Sequence, residues 1–338
     1  MRFVGRAAAL ALIVPLFAAC SNGSSSSSST TEASSAPAAA AASSTAADPG
    51  EATADGITIG FPIPGPAPYI DGYFKKWDEL AAAAGVTTIK TMGDWTPALQ
   101  AEQIDSLIAQ KPDAIVIWAV DNKAIQPVLA RIQEAGIPAI ASNAYPEEAA
   151  FKFLAGYTGP DDVLQGKIAG QNLIEAIGGS GEVGMVRGTP GTAAHDNRAT
   201  GFEQALADSP DVKLVADQSG AWGDSKKAYD IVSAMLKQSP AIKGIFIQDD
   251  GMAEGAAQAV KDAGATVKVV GVGGSCAAQE QIKAGGLTAS TVQDPWADAE
   301  AAFKATVASA NGETIEKLTF LDPPVLTADN VDSFECHF

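Results

Sequence analysis

The stretch AIVIWAVDNKAIQPVLARIQEAGIPAIAS, residues 114–142, decides the fold class. Its opening run, AIVIWA at 114–119, is apolar at nearly every position, which is typical of a strand buried on both faces of a parallel sheet. A helical pattern follows over 125–135 and ends at Gly136, and IPAIAS at 137–142 predicts the next strand. Parallel strands joined by a helix form right-handed βαβ units, so this stretch indicates an α/β fold.

The same alternation of strand and helix extends in both directions from this unit. It starts afresh after a helix predicted over 163–177, which ends at Gly178 and Gly179. Two such series predict two doubly wound lobes with parallel sheets. The predicted strands are 57–61, 87–92, 114–119, 137–142 and 151–156 in the first series, and 182–188, 212–218, 242–248, 267–273 and 287–293 in the second. The predicted helices are 70–84, 96–110, 125–135, 163–177, 195–208, 224–238, 252–263, 280–284 and 297–311.

The first residues predict export and not a folded element. Arg2 and Arg6 precede an apolar run over 7–17. This run is too short to span a bilayer stably, and a positive start followed by such a run is typical of a secretion signal. Small residues before Cys20 resemble a bacterial lipobox, in which the cysteine carries the lipid. The Ser- and Ala-rich run at 21–55 has no large apolar side chain, so we expect it to be disordered. The predicted segments are a signal peptide over 1–19 and a lipidated cysteine with a linker over 20–56.

The charge of the chain excludes whole classes of partner. Its 338 residues carry a formal net charge of −18 and no cluster of Lys and Arg. Phosphate contacts require such a cluster, so we expect no nucleic-acid binding. Anionic lipid head groups are excluded as a docking surface for the same reason. We therefore expect membrane contact through the lipid anchor only.

Two cysteines remain once Cys20 is assigned to the lipid. They are Cys276 and Cys336, and an even number in an exported protein favours a disulfide bond between them. Two unrelated thiols are the alternative.

Seven segments spread along the chain carry a resemblance to a known family. They are KPDAIVIWAVDNKAIQPVL (111–129), AGIPAIASN (135–143), LQGKIAGQNL (164–173), GTPGTAAHDNRATGF (188–202), IKGIFIQDDGMAEGAAQAV (242–260), VKVVGVGG (267–274) and LTASTVQDPWADAE (287–300). In this order and spacing the chain resembles the ribose-binding branch of the periplasmic type I solute-binding proteins, over about 57–331. The resemblance implies two lobes joined by a three-strand hinge, with crossings near 158–160, 293–295 and 321–324. Lobe 1 is then 57–159 plus 294–322, and lobe 2 is 160–293 plus 323–338.

The expected ligand site lies where the strands of both lobes end. Ligands bind beyond the carboxyl ends of the strands in open α/β sheets, and two facing lobes bring those ends to one cleft. A sugar or polyol needs planar donors and acceptors beside flat aromatic surfaces. Strand-end position and resemblance together predict these ligand-binding residues: Tyr69, Ile70, Trp118, Asn143, Asp196, Arg198, Trp222, Asp249 and Gln293.

The first-lobe candidates follow three different strands. Tyr69 and Ile70 stand where the family typically has two aromatic residues. Trp118 stands at a position that is more often polar in the family, and it also fits a core position within its apolar run. Asn143 stands where the family often has Asp. Gln293, at the end of a second-lobe strand, matches a polar contact next to the hinge.

The second-lobe candidates leave two alternatives open. Arg198 and Asp196 lie in the stretch where the family carries a ligand-binding Arg. If Arg198 only pairs with another part of the protein, Asp196 is left to face the ligand. Trp222 stands where an aromatic residue usually closes over the ligand. Asp249 and Asp250 are adjacent, and we assign the N-cap of the following helix to Asp250 and the ligand to Asp249.

Two departures from the family change the predicted pocket. Gly273 stands where the family usually has an Asp that binds sugar hydroxyls, and Ala144 stands where an Arg is expected. The loss of two charged groups and the presence of Trp118 make the pocket flatter and more aromatic. A polyol, a modified sugar, or a cation held by Trp faces and Asp249 is therefore an alternative to a plain pyranose.

Enzymatic chemistry has little support in the sequence. The two histidines, His195 and His337, belong to no metal-binding motif, so we expect no metal and no cofactor. GSGEVG at 179–184 follows a helix and opens a strand, the reverse of a dinucleotide-binding context. His195 and Asp196 would be two thirds of a catalytic triad, but no Ser occurs in a nucleophile-elbow context.

These observations predict a binding protein that works outside the cytoplasm. We expect a monomeric, lipid-anchored solute-binding subunit of an ABC importer, which captures a sugar or polyol by hinge closure and delivers it to a permease and its ATPase. A binding protein coupled to a sensor or chemoreceptor is the alternative.

Overall fold

The computed structural model describes residues 54–338. The predicted signal peptide, Cys20 and most of the predicted linker lie outside the described residues. Local sequence explains where many elements begin and end. Pro68 is the first residue of the first helix, where its missing N–H needs no partner, and Gly85 ends that helix in the left-handed conformation with φ of 72°.

The first sheet is built from the two ends of the described chain. It has six parallel strands in the order β11-β5-β4-β3-β1-β2. Its strands are β1 (Thr58–Ile63), β2 (Thr87–Met92), β3 (Ala114–Ile117), β4 (Ala139–Ser142), β5 (Gly156–Pro160) and β11 (Leu318–Leu321). Its helices are α1 (Pro68–Ala84), α2 (Pro97–Gln110), α3 (Gln126–Glu134) and α9 (Pro295–Ala310), and α9 packs on α1 and on β3, β4 and β5.

The second sheet has the same layout with one antiparallel edge strand. Its order is β12-β10-β9-β8-β6-β7, and β12 runs antiparallel to β10. Its strands are β6 (Gly181–Arg187), β7 (Val212–Ser219), β8 (Ile242–Ile247), β9 (Lys268–Gly273), β10 (Ala289–Val292) and β12 (Val325–Thr327). Its helices are α4 (Asp162–Ala176), α5 (Ala193–Ala207), α6 (Ser225–Gln238), α7 (Asp250–Asp262) and α8 (Cys276–Lys283). The predicted α/β class with two parallel-sheet units is confirmed.

The chain passes between the two sheets three times. It leaves the first sheet after β5, returns after β10, and leaves again after β11. Each departure is from the carboxyl end of a parallel strand. Because parallel strands of one sheet end at the same edge, the crossings join the two carboxyl edges, where ligands bind in such sheets.

Three local expectations were wrong. The run FKFLAG at 151–156 is not a strand: Glu148–Phe153 forms a 3-10 helix, and β5 begins only at Gly156. The spacing of Phe151 and Phe153 looks like strand alternation, but the turn instead buries Ala150 and packs both rings on the first-sheet core. Strands β11 and β12 were not predicted, and α8 begins at Cys276 and not at 280, because Ser275 caps it by accepting from the Ala278 N–H.

Each sheet is covered by apolar side chains on both faces. Trp77 is a central residue of the first core, where its ring meets Phe61 and Phe303 and its Nε1–H donates to Thr88 Oγ1 at 2.9 Å. In the second core Phe202 stacks on Phe246. Within residues 54–338, no helix combines the length and the apolar character needed to span a membrane.

Candidate ligand-binding site

Two predicted first-lobe residues converge on one carboxyl group, and a third lies beside them. Asn143 Nδ2 donates to Asp298 Oδ2 at 2.7 Å, and the Tyr69 hydroxyl donates to the same oxygen at 3.1 Å. The Tyr69 ring lies edge-on to Trp118 with centroids 5.8 Å apart. Trp118 is mostly buried and also contacts Tyr73, so it belongs both to the core and to the wall beside Tyr69. Asn143 adopts φ of 62°, a conformation that Asn tolerates better than most residues.

Asp298 is a site residue that the sequence analysis missed. It lies in the first turn of α9, and its side chain is fully buried. Burial raises the pKa of Asp298 to about 7, against the lowering effect of the bonds from Asn143 and Tyr69. Its Oδ1 has no hydrogen-bond partner among the described residues. The signal that would have revealed it is its position, one helical turn after the strand end that carries Gln293.

Burial, followed by the neighbouring Asp298 carboxyl, holds the pKa of Tyr69 well above its usual value. The Tyr69 hydroxyl therefore keeps its proton and remains a donor near neutral pH. The side chain of Gln293 lies near enough to this hydroxyl to lower its pKa, against the raising effect of burial. Tyr69 thus connects the first-lobe group to a residue at the second crossing.

Arg198 is the centre of the second-lobe group. Its guanidinium is almost fully buried and donates to Asp162 Oδ1 at 2.9 Å, to the Gln248 carbonyl at 2.6 Å and to Gln293 Oε1 at 2.6 Å. The Trp222 ring centroid lies 5.7 Å from the guanidinium carbon. Arg198 therefore pairs with other parts of the protein, which is one of the two alternatives given above. It also contacts two predicted ligand residues, Gln293 and Trp222. Gln293 is the link, because it bonds Arg198 and interacts with Tyr69.

Trp222 is held against the loop after β6. Its backbone N–H donates to Thr189 Oγ1 at 3.1 Å, and its indole N–H donates to Thr192 Oγ1 at 3.2 Å. A Cβ added to Gly188 would lie 2.0 Å from the indole ring. Position 188 must therefore be glycine for the ring to lie where it does.

The assignment of the helix cap to Asp250 is wrong. Asp249 caps α7, since its Oδ1 accepts from the Met252 N–H at 2.8 Å while its Oδ2 accepts from the Gly223 N–H at 3.1 Å. The extended backbone of Asp249, with φ of −154°, places its carboxylate over the start of a helix that begins two residues earlier than predicted. Asp249 therefore ties α7 to the loop that carries Trp222, with both oxygens already bonded.

Asp250 explains why Gly273 departs from the family pattern. The Asp250 carboxyl is buried and accepts from the Gly274 N–H at 2.6 Å and from the Ser290 hydroxyl at 2.8 Å. Burial raises its pKa to about 6. Gly273 has φ of 147°, and a Cβ there would lie 2.7 Å from Asp250 Oδ2. A second carboxylate at position 273 has no room, because Asp250 occupies that space.

Two predicted residues do not join the site. Ile70 is 1% exposed and packs in the first-sheet core, so it offers no surface to a ligand in this structure. Asp196 has a side chain that is 75% exposed, and it bonds His195 Nδ1 at 2.7 Å. His195 Nε2 in turn contacts Ser219 Oγ at 3.0 Å. These hydrogen bonds link Ser219, His195 and Asp196 as in a Ser-His-Asp catalytic triad. The carboxylate of a working triad is buried, however, and that of Asp196 is exposed.

Two further aromatic residues border the site without having been predicted. The Phe338 ring lies 5.2 Å from that of Tyr69, edge-on. Trp95 follows β2 with φ of 66°, and its indole N–H donates to the Pro66 carbonyl at 3.3 Å in the loop that leads to Tyr69.

Cys276 Sγ and Cys336 Sγ are 2.08 Å apart, within bonding distance. No group of three His, Cys, Asp or Glu side chains between residues 54 and 338 is arranged to hold a metal ion.

Two α/β units with joined carboxyl edges, and polar and aromatic side chains gathered at the crossings, define a two-lobed solute-binding protein. The chain belongs to the periplasmic binding protein domain family, whose model matches residues 59–314. The family consists of solute-binding proteins and not of enzymes, as predicted, and membership implies an exported protein.

Curated relatives and solved structures agree with this membership. The xylitol-binding protein of Mycolicibacterium smegmatis is 30% identical over 291 residues, which is 85% of this chain and 82% of that protein. A periplasmic solute-binding protein from Actinobacillus succinogenes with bound D-allose superposes with a TM-score of 0.78 at 28% identity, covering 82% of this chain and 100% of that one. A solute-binding protein from Mycobacterium smegmatis with bound glycerol has a TM-score of 0.74 at 25% identity, covering 82% and 96%.

The raised pKa of Asp298 predicts a pH-dependent stability. A carboxyl that titrates near 7 in the folded protein and near 4 when unfolded binds more protons in the folded state between those values, so stability falls as pH rises through this window. At about 1.4 kcal/mol per pKa unit, the loss is on the order of 4 kcal/mol by pH 8. Asp298→Asn removes this dependence and keeps an acceptor for Tyr69 and Asn143. Urea unfolding of both proteins from pH 4 to pH 8 measures the difference, and parallel pH profiles would contradict the prediction.

The buried pair of Arg198 and Asp162 predicts an asymmetric mutational effect. Arg198→Met leaves the Asp162 carboxylate buried without its partner, and we expect a loss of about 3–5 kcal/mol in the free energy of unfolding. The double variant Asp162→Asn, Arg198→Met should recover most of that loss. Arg187→Met, which removes more exposed pairs with Asp217 and Glu203, is the matched control and should cost about 1 kcal/mol or less. Equal losses in the single and double variants would show that charge burial is not the cause.

Proposed function

We propose that this protein captures a sugar or polyol between its two lobes as the ligand-binding subunit of an ABC importer. The observation that carries the proposal is the connection through Gln293. This residue lies at a crossing, accepts from Arg198 at 2.6 Å on the second-lobe side, and lies near enough to the Tyr69 hydroxyl on the first-lobe side to lower its pKa. This connection supports a ligand site to which both halves of the sequence contribute.

The chemistry of the gathered groups suits a polyhydroxylated molecule. Asn143 and Gln293 offer amide groups, the buried Asp298 carboxyl holds Asn143 and Tyr69 in place, and Trp118 and Trp222 offer flat apolar faces for C–H groups. Relatives and structural neighbours are described as binding xylitol, or were solved with D-allose or glycerol. These ligands share vicinal hydroxyls and carry no charge.

The loss of charged groups favours small polyols over a plain pyranose. Position 273 has no carboxylate and position 144 no guanidinium, while the Asp298 carboxyl is shifted toward its neutral form. A cationic ligand is less favoured than the sequence suggested. Both oxygens of Asp249 already accept backbone N–H groups, and the Arg198 guanidinium nearby already supplies a positive charge, so a second cation is less favoured there.

The lobes that close on the ligand are 57–159 plus 294–322 and 160–293 plus 323–338. The placement of α9 and β11 with the first sheet and of β12 with the second supports these boundaries. Closure swings the lobes about the three crossings, and the closed form is the one that docks on the permease and its ATPase. Outside the cytoplasm a bond between Cys276 and Cys336 persists, which fits the proximity of their sulfur atoms.

The proposal includes an anchor at the start of the chain. A lipid on Cys20, joined to the lobes by the linker that ends at residue 56, holds a monomeric binding protein at the outer face of the membrane. Globomycin-sensitive processing and palmitate labelling that is lost in Cys20→Ser are the tests of this anchor.

A thermal-shift panel tests the ligand class. The probes are xylitol, D-ribose, D-allose, myo-inositol and glycerol, with choline as the cationic comparison. A ligand at 100 times its Kd stabilises the folded protein by about 2.7 kcal/mol, which raises Tm by several degrees. We expect a rise with at least one sugar or polyol and none with choline. Flat melting curves across the sugars and polyols at millimolar concentration would contradict the proposed ligand class.

Trp222→Ala is the companion variant in that panel. It removes the ring beside Arg198, so affinity measured by calorimetry should fall at least about 10-fold while the protein stays folded. Phe320→Ala removes a half-exposed ring from the edge strand β11 and is the matched control. An affinity for Trp222→Ala equal to that of the control would remove Trp222 from the site.

A further inference from the structure

The segment of residues 334–338 is fixed to the second lobe at several points. Cys336 lies within bonding distance of Cys276, the first residue of α8. The Cys276 N–H donates to the backbone oxygen of Phe338 at 2.9 Å. Phe334 packs against the core of the second sheet. The segment is therefore held at the start of α8, next to the carboxyl end of β9.

The same segment contacts elements that pack on the first sheet. The His337 ring stacks on Trp296 of α9 with centroids 3.9 Å apart and planes 1° from parallel, and its Nδ1 lies 2.8 Å from Asp294 Oδ1. A Cβ added to Gly72 of α1 would lie 2.6 Å from the His337 carbonyl oxygen. Glycine at position 72 thus gives the segment room to lie against α1.

The contact between the segment 334–338 and Tyr69 connects this segment to the proposed ligand site. The Tyr69 ring meets Trp118 at 5.8 Å and Phe338 at 5.2 Å, both edge-on, while its hydroxyl bonds Asp298. Trp118 and Asp298 belong to the first lobe, whereas Phe338 reaches Tyr69 from a segment held by the second. Without Phe338, the Tyr69 ring loses one of its two aromatic neighbours.

We propose that residues 336–338 form a strap across the two lobes that positions Tyr69 for the ligand, and that the Cys276–Cys336 bond holds the strap in place. The inference rests on the proposed function, because it assigns Tyr69 to the ligand site. Phe338 is the positioning residue, and His337 fixes the strap to α9 through Trp296 and Asp294. The disulfide then sets ligand affinity although its sulfur atoms lie outside the ligand-contact residues.

A double-mutant cycle separates positioning from a merely structural role. One edge-to-face aromatic contact corresponds to about 3- to 10-fold in an equilibrium constant, so Phe338→Ala should weaken binding of the tightest panel ligand by that factor. In a Tyr69→Ala background, Phe338→Ala should cause no further loss. If Phe338→Ala lowers the affinity by the same factor in the wild-type and Tyr69→Ala backgrounds, or does not change the affinity at all, the inference is overturned.

Phe334→Ala is the matched control for Phe338→Ala. It removes the same side chain from the same segment, but Phe334 packs on the second-sheet core and does not contact Tyr69. We expect it to lower Tm and to leave the affinity unchanged. The double variant Cys276→Ser, Cys336→Ser should reproduce the affinity loss of Phe338→Ala, as should wild-type protein reduced by dithiothreitol, which takes the oxidising equivalents into its own cyclic disulfide.

Amide hydrogen exchange tests the strap without any ligand. Reduction should speed exchange in the peptide covering 68–74 at the start of α1 and leave the peptide covering 78–84 unchanged. If no panel ligand binds but exchange changes in this way, the proposed function fails, and with it the role of Tyr69 in binding, while the disulfide-held contact of the strap with α1 stands. If a ligand binds and oxidised and reduced proteins exchange alike over 68–74, the strap is overturned and the proposed function stands.

Discussion

The buried guanidinium of Arg198 is the interaction on which the site depends. A buried cation is stable only if it is paired and hydrogen-bonded, and Arg198 meets that condition with partners from three places. Asp162 follows the first crossing, Gln248 directly follows β8, and Gln293 lies at the second crossing. One side chain therefore fixes the geometry of two crossings relative to the second sheet. The position of Gln293 beside Tyr69 follows from that arrangement.

The two halves of the site differ in chemistry. The second-lobe half is organised by charge, with Arg198 paired and Asp249 and Asp250 both bonded to backbone N–H groups. The first-lobe half is aromatic and carries a carboxyl, Asp298, whose pKa lies near neutrality. An uncharged polyhydroxylated ligand suits both halves of the site. Its hydroxyls accept hydrogen bonds from the first-lobe half and from Gln293, and it needs no counter-charge. The strap from the second lobe stiffens the aromatic half at Tyr69.

The sequence predicted the parts of the fold that depend on local pattern. Strand–helix alternation located the elements from β1 to α9, since burial on both faces of a parallel sheet leaves continuous apolar runs such as 114–117. It failed where similar patterns have different causes. The two Phe side chains at 151 and 153 alternate as in a strand but belong to a 3-10 helix, and the choice of cap between Asp249 and Asp250 depended on where α7 begins. Asp298 and Phe338 joined the site through contacts with Asn143 and Tyr69, which are distant in sequence and follow only from the packing of α9 and of the last residues.

The central claim is that one ligand is held by side chains from both lobes around Gln293. A crystal structure of the complex with the tightest-binding panel ligand tests this most directly. The account predicts a ligand within hydrogen-bond distance of Gln293, in contact with Tyr69 or Asn143 on one side and with Arg198 or Trp222 on the other. A ligand that contacts one lobe only, or that lies away from Gln293, would contradict it.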